Sequence, residues 1–375
     1  MVTKQSAYRG CLLGLAVGDA LGCTVDGKTL EEIRQDYGPN GLMGYDLVNG
    51  YAETTSYTQL AAYTANGLLM GLTHGQLQGR MAPFVHYTSL STQEWAYTQQ
   101  YRRPPQRGRC WICQVPELRR RACMDTRMLD TLTRGKPGTP EEPANAFQTP
   151  GSLTCAIPAG LFYAPERMSF PEIGQLGAEV IALTHGEPSA FLSGAVLAYC
   201  TAGLVQAPEV PLKEHLTQAA QAVAAQFGQT YPQALELRSL LRRAMLMAQE
   251  KQTSQSEAMD RLGCITASQV LAGAYYALLA GGEDFDSTMI TAVNHSGRSA
   301  AVGAVAGALL GAKLGHEALP EFYLECLEPV DTLLTLADDL LQGCPMVRGH
   351  RMFDDDWDRK YTQGQPVEKD GWFEE

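Results

Sequence analysis

No stretch of the chain shows sustained two-residue alternation or β-branched enrichment, so nothing in it specifies a sheet. Its apolar runs are short as well. Ala300 to Ala312, among the longest, stops before the roughly 18 residues that a membrane span requires. Positive charge is scarce: 29 Lys and Arg against 41 Asp and Glu leave a net charge of −12. That balance excludes a nonspecific grip on nucleic acid phosphates or an anionic membrane through global electrostatics. There is no Gly-x-x-x-x-Gly-Lys-Ser/Thr phosphate loop, no dinucleotide fingerprint and no Ser-His-Asp order. Lys4 and Arg9 ahead of an apolar run mimic a signal peptide, but Asp19 interrupts that run. The expectation is a soluble, cytoplasmic protein without a membrane or nucleic acid partner.

Ten cysteines are present, most of them inside apolar helical stretches where a free thiol packs as a small hydrophobe, which suits a reducing compartment. Only Cys110-Trp111-Ile112-Cys113 has ligand-like spacing. A zinc site needs a second pair, and Cys123 is the sole nearby candidate. Cys155 sits in the apolar segment Ser152 to Pro158, a setting for an inert thiol rather than a nucleophile.

What is present is helical. Hydrophobic residues make up 45% of 375, ample for a large core, and the periodicity predicts an all-α fold. Thr266 and Gln269 form a capping box ahead of a helix over Ala267 to Ala280, and Gly281-Gly282 stops it. A second helix begins near Pro188. Glycines at 303, 307, 311 and 315 fall on one stripe of a helix starting at Ser299, each lowering helix propensity by up to about 1 kcal/mol. Close approach of another backbone would offset that loss, so this helix is placed at the centre of a bundle. The opening segment, with Gly10, Gly14, Gly18 and Gly22, is its natural partner. Residues 97 to 150 are arginine- and proline-rich and read as partly loop, either a solvated face or a rim that attracts an anion. No repeat or linker divides the chain. One helical domain over 1–342 is expected, followed by an acidic, aromatic tail over 343–375 that docks through Trp357 and Trp372.

The segment Tyr8-Arg9-Gly10-Cys11-Leu12-Leu13-Gly14-Leu15-Ala16-Val17-Gly18-Asp19-Ala20-Leu21-Gly22 resembles the opening helix of the ADP-ribosylglycohydrolase family, which includes dinitrogenase-reductase-activating glycohydrolases. Thr58-Gln59-Leu60-Ala61, Leu183-Thr184-His185-Gly186 and Asn294-His295 leading into Gly303 to Ala312 extend the resemblance in order, over roughly residues 8 to 328. It implies a compact all-helical domain. It also implies two magnesium ions between helices, hydrolysing the bond from ADP-ribose to its acceptor, with ligands from a Ser/Thr-Asp-Asp-Thr and an Asp-x-Asp-Thr motif. Aligned on these, the chain has Thr55-Ser56-Tyr57-Thr58 and Arg298-Ser299-Ala300-Ala301. Four aspartates would balance two magnesium ions, whereas this set supplies no carboxylate and adds the cation of Arg298. Paired magnesium is therefore expected to be lost, and no metal or other cofactor is assigned.

The acids near the implied cleft are Asp19, Asp26, at the place of a family glutamate, and Glu53. They are candidates for metal-independent glycoside cleavage by paired carboxylates, or else a buried brace, in the case of Asp19, and an exposed helix-start acid, in the case of Glu53. Thr55, Ser56, Tyr57, Asn294, His295 and Arg298 are candidate ligand-binding residues. Arg298, with Tyr57 nearby, turns the metal cleft into an anion pocket or pairs with Asp19, Asp26 or Glu53 to fill vacated space. His185 and His295 are general bases or hydrogen-bonded loop fixtures. Three functional readings stay open: a binder of ADP-ribose or a related nucleotide impaired in hydrolysis, a metal-independent hydrolase, and a protein-interaction scaffold.

Overall fold

Glycine spacing builds the centre of the molecule. The opening helix (Lys4–Cys23) runs antiparallel to the glycine-striped helix (Ser299–Leu314). A Cβ added at Gly10, Gly14, Gly18 or Gly22 would collide with the backbone of Gly311, Gly307, Gly303 or Ser299 respectively. Two backbones thus touch where side chains would hold ordinary helices apart, and dispersion attraction across that seam offsets the propensity lost to glycine. The pair forms the axis around which the other helices pack.

The computed structural model describes residues 2–122, 125–134, 136–250, 254–349 and 352–367. Among these the chain is all-α, with two isolated β-bridges, Val48 with Tyr51 and Ala52 with Leu327, and no strand. Both helix starts read from the sequence are present. Thr266 and Gln269 close a capping box on Ala267–Ala280, and Gly281 donates its N–H to the Ala277 carbonyl at the other end. Pro188 occupies the first turn of Pro188–Gln206, whose amide at Ser189 is capped by Glu187. That helix corrects one expectation from the sequence: at 19 residues it is long and apolar enough to cross a membrane, yet it is almost wholly buried among its neighbours.

Between residues 97 and 150 the chain is only partly helical. The helix Phe84–Tyr101 ends there, a 3-10 turn at Trp111–Gln114 and short helices at Pro116–Arg119 and Thr126–Thr133 follow, and the rest of the described residues are loop. Cys110 and Cys113 are both buried, and Cys123 lies outside the described residues. Past residue 343 the chain packs back onto the body through a short helix, Asp355–Tyr361. Trp357 is 2% exposed and donates its indole N–H to Thr73 Oγ1 at 2.8 Å, while Lys360 and Tyr361 both reach Asp339 on the helix Val330–Gln342. Trp372 lies outside the described residues.

Candidate functional site

Three helices begin at one place. Thr55 caps Ser56–Gln78, Asp125 caps Thr126–Thr133, and Arg298 precedes Ser299–Leu314. The amides of a first helical turn have no partners within the helix and carry the positive end of its dipole. An aspartate meets each. Asp19 accepts from the amides of Thr55 (2.9 Å) and Thr58 (3.1 Å) and from both threonine hydroxyls (2.6 Å each). Asp26 accepts from Ala300 N–H at 3.1 Å, and Asp125 from Arg127 N–H at 3.0 Å.

Between these helix starts lies a cleft of about 410 Å³, within the ordinary range for small-molecule sites. Its walls are Cys23 and Asp26 from the end of the opening helix and the turn after it, Thr55, Ser56 and Tyr57, Asp125 to Arg127, Thr149 to Gly151, and Arg298 with Ala300. Of the residues proposed from sequence, the fold brings Asp26, Thr55, Ser56, Tyr57 and Arg298 to this cleft.

The others stand elsewhere. Asp19 is fully buried and does not line the cleft. Burial raises its carboxyl to about 6 despite four hydrogen bonds that pull the other way, so it braces the Ser56 helix against the opening helix. Glu53 does not line it either, because its carboxylate pairs with Arg120 at 2.8 Å, which also holds Glu328 at 2.8 Å. Asn294 joins two loops: its amide accepts from Leu42 N–H at 2.7 Å and donates to the carbonyls of Leu42 (3.0 Å) and Ile290 (2.8 Å). His295 is wholly buried, with Nε2 3.0 Å from the Ala292 carbonyl, and burial lowers its pKa to about 4. Asn294 and His295 hold loop structure through these bonds and do not line this cleft.

Arg298 chooses among its three offered partners. It meets Asp26, Nη1 to Oδ2 at 3.4 Å, while Asp19 and Glu53 are committed elsewhere. The guanidinium is 47% exposed and Asp26 only 15%. Burial raises the Asp26 pKa, and the Ala300 amide and Arg298 offset part of that rise.

Sequence reasoning missed the facing wall. Asp125 binds Arg127 side by side, Nε to Oδ1 at 3.1 Å and Nη2 to Oδ2 at 2.8 Å. Burial would raise the Asp125 pKa, but the bonds from Arg127 and Thr149 outweigh it and hold the carboxyl at about 2. Thr149 donates its hydroxyl proton to Asp125 Oδ2 at 2.9 Å and so must accept from His185 Nε2, 3.0 Å away. His185 Nδ1 then accepts from Ser152 (2.8 Å) or Thr184 (2.9 Å). Its ring is fully buried and its pKa lowered to about 4 by burial, so it is a neutral fixture behind the wall. Two local signals marked this wall: Asp125 ahead of Thr126-Arg127-Met128-Leu129 is a helix start, and Thr149-Pro150-Gly151-Ser152 is a turn. Both lie inside the stretch read as partly loop.

The ionised side chains of the cleft are thus two aspartates and two arginines, each acid matched to a base. Among the described residues no group of three or more His, Cys, Asp and Glu is arranged to hold a metal ion.

The ADP-ribosylglycohydrolase family model matches residues 1–349. An uncharacterized protein of Archaeoglobus fulgidus is 28% identical over 349 residues, covering 90% of this chain and 97% of that protein. Among solved structures, an ADP-ribosylglycohydrolase-related protein complex is similar with a TM-score of 0.60 and 25% identity, over 90% of this chain and 98% of that chain.

Proposed function

Because the chain belongs to the ADP-ribosylglycohydrolase family, we propose that it binds ADP-ribose or a related nucleotide at Thr55, Ser56, Tyr57 and Arg298, without paired magnesium and with impaired hydrolysis. The observation that carries this reading is Arg298, a half-exposed guanidinium on the wall of an open 410 Å³ cleft where helix starts converge. Helix-start amides and an arginine fork are both suited to phosphate oxygens.

The donor set argues against paired magnesium. Hard dications require several oxygen ligands, preferably anionic. Here the two carboxylates are each engaged by an arginine, and the remaining side-chain oxygens are neutral hydroxyls. Two dications beside two guanidinium groups would leave charge unpaired, at a cost of at least several kcal/mol per ion. The residues present do not fit that group.

Metal-independent hydrolysis by Asp19, Asp26 and Glu53 has less support. A glycoside hydrolase of that type needs two carboxyl groups flanking the bond. Of the three, Asp26 alone lines the cleft.

The test is calorimetric titration with ADP-ribose in magnesium and in EDTA, beside an assay for release of ADP-ribose from modified arginine. The expected outcome is binding that is indifferent to EDTA, without turnover. Arg298→Ala should weaken binding about tenfold or more, the range of a lost charge-assisted hydrogen bond, with the fold retained. Magnesium-dependent turnover would overturn the proposal.

A further inference from the structure

Arg127 lines the same cleft as Arg298, and its setting is the more ordered of the two. Its Nε and Nη2 are held by Asp125, leaving Nη1 without a partner among the described residues. The guanidinium lies 4.8 Å from the centroid of the Phe147 ring, which fixes its plane. Asp125 is itself fixed by Thr149, and Thr149 by the buried neutral ring of His185. A chain of hydrogen bonds from the interior therefore holds one arginine at the edge of the cleft. Arg127 also lines a neighbouring basin of about 720 Å³.

Each arginine already has a carboxylate partner, so net charge does not distinguish this cleft. Direction does. Among the described residues Nη1 of Arg127 has no partner, and Arg298 touches Asp26 through one long contact, leaving Nε and Nη2 available. One phosphate group can satisfy one fork; two linked phosphates offer a group to each arginine of the cleft.

Resting on the reading of this cleft as a nucleotide site, we infer that Arg127 is its second anion-binding arm and that the cleft selects a diphosphate-bearing ligand over a monophosphate. Arg127 and Arg298 each face one phosphate. Asp125 and Thr149 are positioning residues, which hold Arg127 in place and do not touch the ligand. Because its orientation is already set, Arg127 loses little side-chain freedom when the ligand arrives.

The experiment is calorimetric titration of the full chain with inorganic pyrophosphate, inorganic phosphate and ADP-ribose, on the wild type, Arg127→Gln and Arg127→Lys. Wild type should bind pyrophosphate at least about tenfold more tightly than phosphate, the effect of one further charge-assisted contact. Arg127→Gln should abolish that preference, weaken ADP-ribose to a similar degree and leave phosphate affinity unchanged. Arg127→Lys, which keeps the charge but loses the fork, should restore only part of it. Circular dichroism and melting temperature check that the substitutions, at a 55% exposed side chain, leave the fold intact. Equal binding of phosphate and pyrophosphate by wild type overturns the inference, as does a preference that survives Arg127→Gln. If pyrophosphate selection depends on Arg127 while ADP-ribose fails to bind, the two-armed cleft stands and the nucleotide reading falls.

Discussion

Aspartates near this cleft are first of all caps. Asp19 shows the consequence most sharply, because four donors converge on a carboxylate that no solvent reaches. Asp19→Asn keeps the shape but turns an amide N–H₂ toward those donors. Chemical denaturation should show a loss of about 1–3 kcal/mol. The size of that loss should depend on pH. The folded carboxyl titrates near 6 against an ordinary 3.8, so its contribution is complete below 3.8 and is lost as pH rises through 6. The gap between wild type and Asp19→Asn should therefore be wider at pH 4 than at pH 7. A gap that widens toward neutral pH would mean that Asp19 is stabilised as the anion.

At the scale of elements, the glycine-lined pair of helices makes the firmest prediction. Gly18→Ala places a methyl against the Gly303 carbonyl, and the two backbones must separate to admit it. Overpacking of this kind costs about 1–3 kcal/mol or more. Gly44→Ala, with open space around the added carbon, is the control and should stay within about 0.5 kcal/mol. Urea unfolding of the two variants side by side decides the point. The helix Asp355–Tyr361 is anchored by Trp357, so Trp357→Ala should destabilise by about 3–5 kcal/mol if that helix unfolds together with the body. A separate early transition in the same melt would show that it comes away alone.

For the whole molecule, acid stability combines groups that oppose one another. His185 and His295 are buried neutral, with pKa values near 4 against an ordinary 6.5. Their contribution is complete above 6.5 and is lost as pH falls toward 4, because the unfolded chain takes up protons that the folded one refuses. Asp19 gains over the same interval. Two histidine shifts together exceed one carboxyl shift, so these three groups together should contribute less stability as pH falls from 6.5 to 4, and His185→Gln should make the pH dependence of stability over that interval shallower than in wild type. Denaturation midpoints at pH 7, 5.5 and 4 measure it.

The helical class, the two glycine-lined helices, the capping box at Thr266 and the return of Trp357 to the body are all legible in the sequence. Each follows from a local rule: a period, a cap, a small-residue stripe or a buried aromatic. One side of the cleft is legible too, because Asp26, Thr55 to Tyr57 and Arg298 sit in contiguous motifs. How the acids are used is a matter of packing. Asp19, Asp26 and Glu53 look equivalent as letters. Their distances to Thr58, Ala300 and Arg120, across 39, 274 and 67 positions of chain, assign one to the interior, one to the cleft and one to the surface. Arg127 is illegible in the sequence for the same reason: what makes it a cleft residue is a hydrogen-bond chain through Asp125, Thr149 and His185, and such a chain exists only once distant segments have packed.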